Sequence, residues 1–274
     1  MPNPWRPWKL PYRCRRISSG GRGGHWTVWW KSGEGIELVV KAVFFDVGQT
    51  LIDSRRENDE AFVSVLNELG ATIPPGASFA SAILQAHKEF AAKGIFAHQF
   101  PKDEGMEFWV PFDRRVIELA GVKGDLDRYS LEAHLRWFDH VGIYAYRDTV
   151  PAVEALRGMG LRLGIISNGL EGEIFDVLAR AKIDAALFDP VVGSDTFSCE
   201  KPSARVFEET ARRAGLKPGE CAFVGDRLDK DGGAAKAGMR FFWMDRKGKG
   251  GAPEWAERIG SLAELHGLLA KPRP

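Results

Sequence analysis

A small set of polar residues stands directly after short apolar runs, and their types suit one kind of chemistry. Asp46 follows residues 39–45 and opens the stretch Asp46-Val-Gly-Gln-Thr50. Ser167, Asn168 and Gly169 follow residues 161–166, and Asp226 follows residues 221–225 with Asp229 and Asp231 close behind. Lys201-Pro202 stands at the entrance to a helical pattern. Carboxylates are hard oxygen ligands for Mg²⁺, and one of them can act as a nucleophile, while lysine and hydroxyl groups stabilise phosphoryl oxygens. The inventory therefore points to Mg²⁺-assisted phosphoryl transfer through a carboxylate.

For these residues to meet, the apolar runs must be neighbouring strands. Residues 39–45 are a β-branched and aromatic run ending on an acid, as in a buried parallel strand that delivers a polar group to its carboxyl edge. After residue 148 the pattern alternates. Helices are expected at 151–158, 171–181, 203–214 and 231–237, and strands at 161–166, within 188–193, at 221–224 and at 240–244. Such alternation predicts an α/β fold, a doubly wound, Rossmann-like parallel sheet with helices on both faces. Ligands in such sheets gather outside the carboxyl ends of the strands, which is where the polar residues fall.

Residues 53–147 read differently. Phe62, Val65, Leu66 and Leu69 fall on one helical face with Gly70 just after, the pattern of an amphipathic helix and its stop. Similar faces recur at 79–90, around 116–120 and at Leu131, Leu135 and Phe138, with no strand expected between them. The expected organisation is an extension over 1–38, an α/β core formed by 39–52 and 148–274, and an all-helical insert over 53–147 sized like a small domain.

The chain has 274 residues, 44% hydrophobic and 27% charged, which excludes a disordered or fibrous protein. Its net charge of +1 excludes the basic surface typical of nucleic-acid binding. The balance is uneven: five of the nine tryptophans and seven basic residues lie in residues 1–38, and the remainder has 31 basic against 35 acidic residues. The extension has no helical or alternating period. It reads as poorly ordered and dispensable, in preference to a targeting segment or a nucleic-acid or membrane contact. Cys14, Cys199 and Cys221 form neither a disulfide framework nor a zinc pattern, and no window approaches a membrane span. A cytoplasmic enzyme with a small-molecule partner, and neither nucleic acid nor membrane, is expected; oligomeric state is left open.

The order Phe-Phe-Asp-Val-Gly-Gln-Thr-Leu, Ile-Ile-Ser-Asn-Gly, Glu-Lys-Pro and Phe-Val-Gly-Asp-Arg-Leu-Asp-Lys-Asp resembles the haloacid dehalogenase superfamily of hydrolases over residues 39–245. The resemblance implies that Asp46 accepts the phosphoryl group and touches Mg²⁺, that Ser167 binds the transferring group beside Asn168, Gly169 and Thr50, and that Lys201 neutralises charge. It implies Asp226 as a metal ligand and Asp231 as a direct or water-mediated one. The helical insert resembles the family's cap, which closes over the site and selects the substrate.

The chain departs from this pattern at Gly48, where phosphatases of the superfamily usually carry a second aspartate that serves as general acid and base. Glycine keeps the backbone carbonyl that the family uses as a Mg²⁺ ligand but loses a contribution of about 10²–10⁴-fold in rate. Four consequences follow as alternatives: a substrate with a good leaving group, an acid from the insert (His87, His98, Asp103, Glu104 or Glu107), a weakly active binding protein, or a 2-haloacid dehalogenase-like hydrolase. Dehalogenases of the family normally use no metal, and the retained carboxylates argue for a cation site. The stretch from Asp231 to Met239 is one residue shorter than the family pattern, so Asp229 competes with Asp231 as the second carboxylate.

Overall fold

A computed structural model describes residues 40–101, 105–248 and 250–270, all within the second of the two units into which the chain divides, Glu37–Pro274. The reading of residues 1–38 as an extension falls outside the described residues.

Six strands form one parallel sheet in the order β5-β4-β1-β6-β7-β8. They are β1 (Ala42–Phe45), β4 (Arg162–Ile166), β5 (Val191–Val192), β6 (Cys221–Gly225), β7 (Arg240–Met244) and β8 (Glu257–Ile259). β1 lies centrally, with Phe44 opposite Gly164 on one side and Phe223 on the other. Every residue of β1 is buried, because alternate side chains enter two separate cores. Val43 and Phe45 pack with α5 (Thr149–Gly158), α6 (Glu171–Arg180) and α10 (Glu264–Leu269). Ala42 and Phe44 pack with α7 (Ala204–Arg213) and the short α9 (Gly233–Lys236). This two-sided burial is why β1 reads as a continuous apolar run. Truncating any one of Phe44, Phe45, Phe223 or Phe242, all completely buried, would cost about 3–5 kcal/mol.

Between β1 and β4 lie α1 (Asn58–Glu68), α2 (Phe79–Ala92), α3 (Met106–Leu119) and α4 (Leu126–Val141). They share an apolar cluster of their own, built around Phe62, Phe79, Phe108, Phe112, Val116 and Ile117. Two expectations are corrected. The stretch is not strand-free: β2 (Ile52–Ser54) and β3 (Ile143–Ala145) pair antiparallel at its root. They are three residues each, too short for an alternating pattern to register. On α4, Leu131 and Leu135 are 38% and 58% exposed. The inward face is instead Ser130, Ala133 and Val141, with Trp137 edge-on to Phe62 at 5.2 Å between ring centroids. The larger ring took the core and turned the leucines outward.

The helix expected over 231–237 is two short helices, α8 (Leu228–Asp231) and α9, broken at Gly232. β8 and α10 close the sheet edge beyond β7 and carry no counterpart in the sequence reading.

Candidate active site

Each group lies where its strand ends. The Asp46 amide extends the sheet by donating to the Val224 carbonyl at 2.8 Å, and the chain then turns so that Leu51 N and Ile52 N both donate to the Val47 carbonyl. Gln49, at φ 56°, supplies the left-handed step of that turn. Thr50 is fully buried, and its hydroxyl has no hydrogen-bond partner among the described residues. Ser167 continues β4 through its amide to the Val192 carbonyl, and the Gly169 amide donates to its Oγ at 3.2 Å.

Lys201 is brought to the same edge by Asn168. The Asn168 Nδ2 donates to the Lys201 carbonyl at 3.0 Å and its Oδ1 accepts from the Lys201 amide at 2.8 Å. Both ends of the Asn168 amide are thus taken up in fixing the lysine backbone. From there Lys201 Nζ, 4% exposed, reaches Asp46 Oδ1 at 2.5 Å and Asp231 Oδ1 at 2.7 Å, and sits 5.3 Å from the centroid of the Phe223 ring.

Asp231 gets this close because residue 225 is glycine: a Cβ there would lie 2.3 Å from Asp231 Oδ2. The same oxygen accepts from the Arg227 amide at 2.9 Å. Asp46, Asp226 and Asp231 each offer one oxygen, all within 4.8 Å of one another. Three hard donors at this spacing suit a divalent cation such as Mg²⁺. Asp229 does not compete with Asp231: its side chain is 63% exposed and pairs with Arg227.

The electrostatics follow from crowding. Burial, with Asp46 and Asp231 nearby, pushes the Asp226 carboxyl up to about 7. Burial and Asp46 raise Asp231 to about 6, against the pull of Lys201. Burial would lower Lys201, but its two carboxylate partners together hold it above the usual lysine value. Clustered carboxylates short of positive charge are the signature of a cation or phosphoryl site.

This geometry coincides with a family match. The model of the haloacid dehalogenase-like hydrolases matches residues 40–238. The chain belongs to the haloacid dehalogenase-like hydrolases, and it is an enzyme. It is 33% identical over 205 residues to the glyceraldehyde 3-phosphate phosphatase of Methanopyrus kandleri, covering 73% of this chain and 82% of that one. It is 27% identical over 241 residues to (S)-2-haloacid dehalogenase 4A of Burkholderia cepacia, covering 85% and 96%. Among solved structures, a phosphatase of this superfamily from Thermococcus onnurineus aligns over 85% of this chain and all of its own, with TM-score 0.53 and 25% identity. The 2-haloacid dehalogenase of Pseudomonas syringae shares the fold at TM-score 0.62 and 23% identity, over 84% of this chain and 98% of that one.

In this haloacid dehalogenase-like hydrolase, Gly48 is exposed, and no atom lies within 4 Å of where its Cβ would be. Of the acids considered in its place, Asp103 and Glu104 lie outside the described residues. His98 stacks on Phe96 in a short turn, and Glu107 is exposed in the first turn of α3. His87 lines a cavity of about 280 Å³ between α1, α2, α3, α4 and α6.

The sequence reading missed two groups. Asp113, on α3, lines the same cavity and is only 7% exposed; burial raises its carboxyl well above the ordinary carboxylate value. Its signal was available, since Asp113, Val116, Ile117 and Ala120 share one helical face, a carboxylate set into an apolar stripe. Arg246, beyond β7, donates to the Thr50 carbonyl at 2.8 Å and to Asp148 at 3.1 Å, tying the Asp46 turn to the start of α5. Its position after a strand at the sheet edge gave no periodic cue.

Proposed function

We propose that this hydrolase is a Mg²⁺-dependent phosphatase acting on a small phosphorylated metabolite in the cytoplasm, with residues 53–147 as its substrate-selecting cap. The observation that carries the reading is Lys201 Nζ bridging Asp46 and Asp231, with Asp226 beside them. An Asp46 carboxylate oxygen attacks phosphorus, the P–O bond to the leaving group breaks with its electron pair staying on the departing oxygen, and water then hydrolyses the acyl phosphate to inorganic phosphate and the Asp46 carboxylate. Lys201 holds the Asp46 carboxylate in place and balances charge that builds on the phosphoryl oxygens. Ser167 Oγ, next to the carboxyl end of β4, and the orphaned Thr50 hydroxyl, in the turn between β1 and β2, are the neutral donors. A Mg²⁺ held by Asp46, the Gly48 carbonyl, Asp226 and Asp231 would supply Lewis-acid charge neutralisation at the transferring group.

With glycine at 48, the core offers the leaving oxygen no proton from that position. Acyl phosphates and other esters with good leaving groups are therefore the substrates the core itself favours. The dehalogenase relative supports a second reading, ester formation on Asp46 by carbon–halogen displacement. Buried Asp231 and half-buried Asp226 weigh against it, since a metal-free site has no use for two extra carboxylates that desolvation makes costly.

Asp46→Asn and wild type should be compared with acetyl phosphate and an aryl phosphate, with and without Mg²⁺. Phosphate release that needs both Mg²⁺ and Asp46 supports the reading. No release from either ester, or full activity in Asp46→Asn, refutes it, and metal-independent halide release from a 2-haloacid establishes the second reading.

A further inference from the structure

Gly48 is exposed and carries no side chain, so the direction of its carbonyl is set by its own ψ and by the φ of Gln49. Its pairing is a single β-bridge to Ile52. Gln49 stands at φ 56°, in the left-handed region that residues other than glycine, asparagine and aspartate seldom enter. A residue stays in such a region only where its surroundings hold it there.

Asp53 does the holding. Gln49 Nε2 donates to Asp53 Oδ1, and the same oxygen accepts from the Ser54 amide at 2.9 Å. The other oxygen, Oδ2, accepts from the Tyr146 hydroxyl at 2.9 Å and from the Tyr144 hydroxyl at 3.4 Å. Both oxygens are tied to β2, β3 and the residue after β3, so the carboxylate has a fixed orientation. Tyr146 is fixed in turn: its amide donates to the Leu51 carbonyl at 3.1 Å, and the Arg246 guanidinium lies 3.7 Å from the centroid of its ring. Arg246 also holds the Thr50 carbonyl. One frame therefore anchors Thr50 and Leu51 by their carbonyls and Gln49 by its side chain. Gln49 and Asp226 line one small cavity of about 90 Å³, which brings the anchored turn up to the Asp46, Asp226 and Asp231 cluster.

We infer that Asp53 is a positioning residue for the metal centre: through Gln49 it holds the Gly48–Gln49 peptide in the orientation that offers the Gly48 carbonyl to Mg²⁺. The inference rests on the proposed function for that carbonyl's role as a ligand. Any side chain at 48 would narrow the torsions of this peptide. Glycine leaves them wide, and the restraint comes from the next residue.

The test measures metal binding: Mn²⁺ alone is titrated into the full chain without substrate, and bound ion is followed by electron paramagnetic resonance. Wild type is compared with Gln49→Ala, Asp53→Ala, the double variant, and Gln49→Asn, which accepts a left-handed backbone but is one methylene shorter. Each variant should bind Mn²⁺ about tenfold or more weakly, the usual effect of losing a group that orients a metal ligand. The double variant should lose no more than the larger single loss, because the two residues act through one bond. In acetyl phosphate hydrolysis the Mg²⁺ concentration for half-maximal activity should rise by the same factor, with kcat at saturating Mg²⁺ little changed. The inference is overturned if Gln49→Ala or Gln49→Asn binds Mn²⁺ as wild type does, if the single losses multiply in the double variant, if kcat falls with the Mg²⁺ requirement unchanged, or if wild type binds no Mn²⁺. The Gln49 variants decide the matter even if Asp53→Ala fails to fold. Failure of the phosphatase reading shows up separately, as absent phosphate release from acetyl phosphate while Mn²⁺ binding and its loss in the variants remain.

Discussion

Replacing Lys201 by methionine removes the one cation among the described residues that touches both Asp46 and Asp231, at 2.5 and 2.7 Å, and leaves a side chain of similar length in its place. The three carboxylates of the site have oxygens within 4.8 Å of one another. At that separation each ionised pair repels by about 3.5 kcal/mol with an effective dielectric constant of about 20. The site then protonates instead of tolerating the charge. In the wild-type protein Asp231 and Asp226 already sit at about 6 and about 7, above their unfolded values, so the folded state binds more protons than the unfolded one. Stability contributed by these groups is fully present in acid and lost as pH rises through the folded values. Lys201→Met pushes those values higher and steepens the loss. At pH 8 the variant should be about 3–5 kcal/mol less stable, the usual cost of breaking a buried pair from one side. Near pH 4, where Asp226 and Asp231 are protonated and their mutual repulsion is gone, the difference should shrink. Urea denaturation followed by circular dichroism across pH 4–8, in chelator, measures both ends. A difference that is independent of pH, or largest in acid, refutes the electrostatic account. Added Mg²⁺ should also stabilise the variant more than the wild type, because the ion replaces the missing charge.

Gly48→Asp has room, with nothing within 4 Å of the new Cβ. It should raise kcat/KM for an unactivated alkyl phosphate by about 10²–10⁴-fold while changing acetyl phosphate turnover little, and an unchanged alkyl phosphate rate counts against the missing-acid explanation. Asp229→Asn, at an exposed side chain paired with Arg227, should alter stability by no more than about 0.5 kcal/mol and leave the Mg²⁺ dependence of activity intact, whereas Asp231→Asn should abolish it; equal effects would reopen the choice between them. Asp113, which lines one cavity with His87 of α2, His134 of α4 and Glu173 of α6, is raised well above its usual value by burial, so its folded form keeps a proton that the unfolded form releases. Its contribution to stability is present in acid and lost as pH rises above the ordinary carboxylate range. Asp113→Asn should therefore be the more stable protein at neutral pH, with the gap to wild type closing toward pH 4 at up to about 1.4 kcal/mol per pH unit; parallel stability curves would show that the carboxyl is not desolvated.

How much of this was legible follows from what each residue has to do. The strand ends were readable because a buried parallel strand must be apolar throughout, and the first polar residue after it marks the carboxyl edge of the sheet, where ligands of such folds gather. Asp46, Ser167 and Asp226 all announce themselves in this way. The choice between Asp229 and Asp231 was not readable, because it depends on one close approach, that of the Asp231 carboxylate to the bare Cα of Gly225. The role of Asn168 was likewise hidden: clamping the backbone of a lysine 33 residues away leaves no local pattern. On α4 the helical period was right but its phase was not, since Trp137 outcompeted Leu131 and Leu135 for the interior through its contact with Phe62.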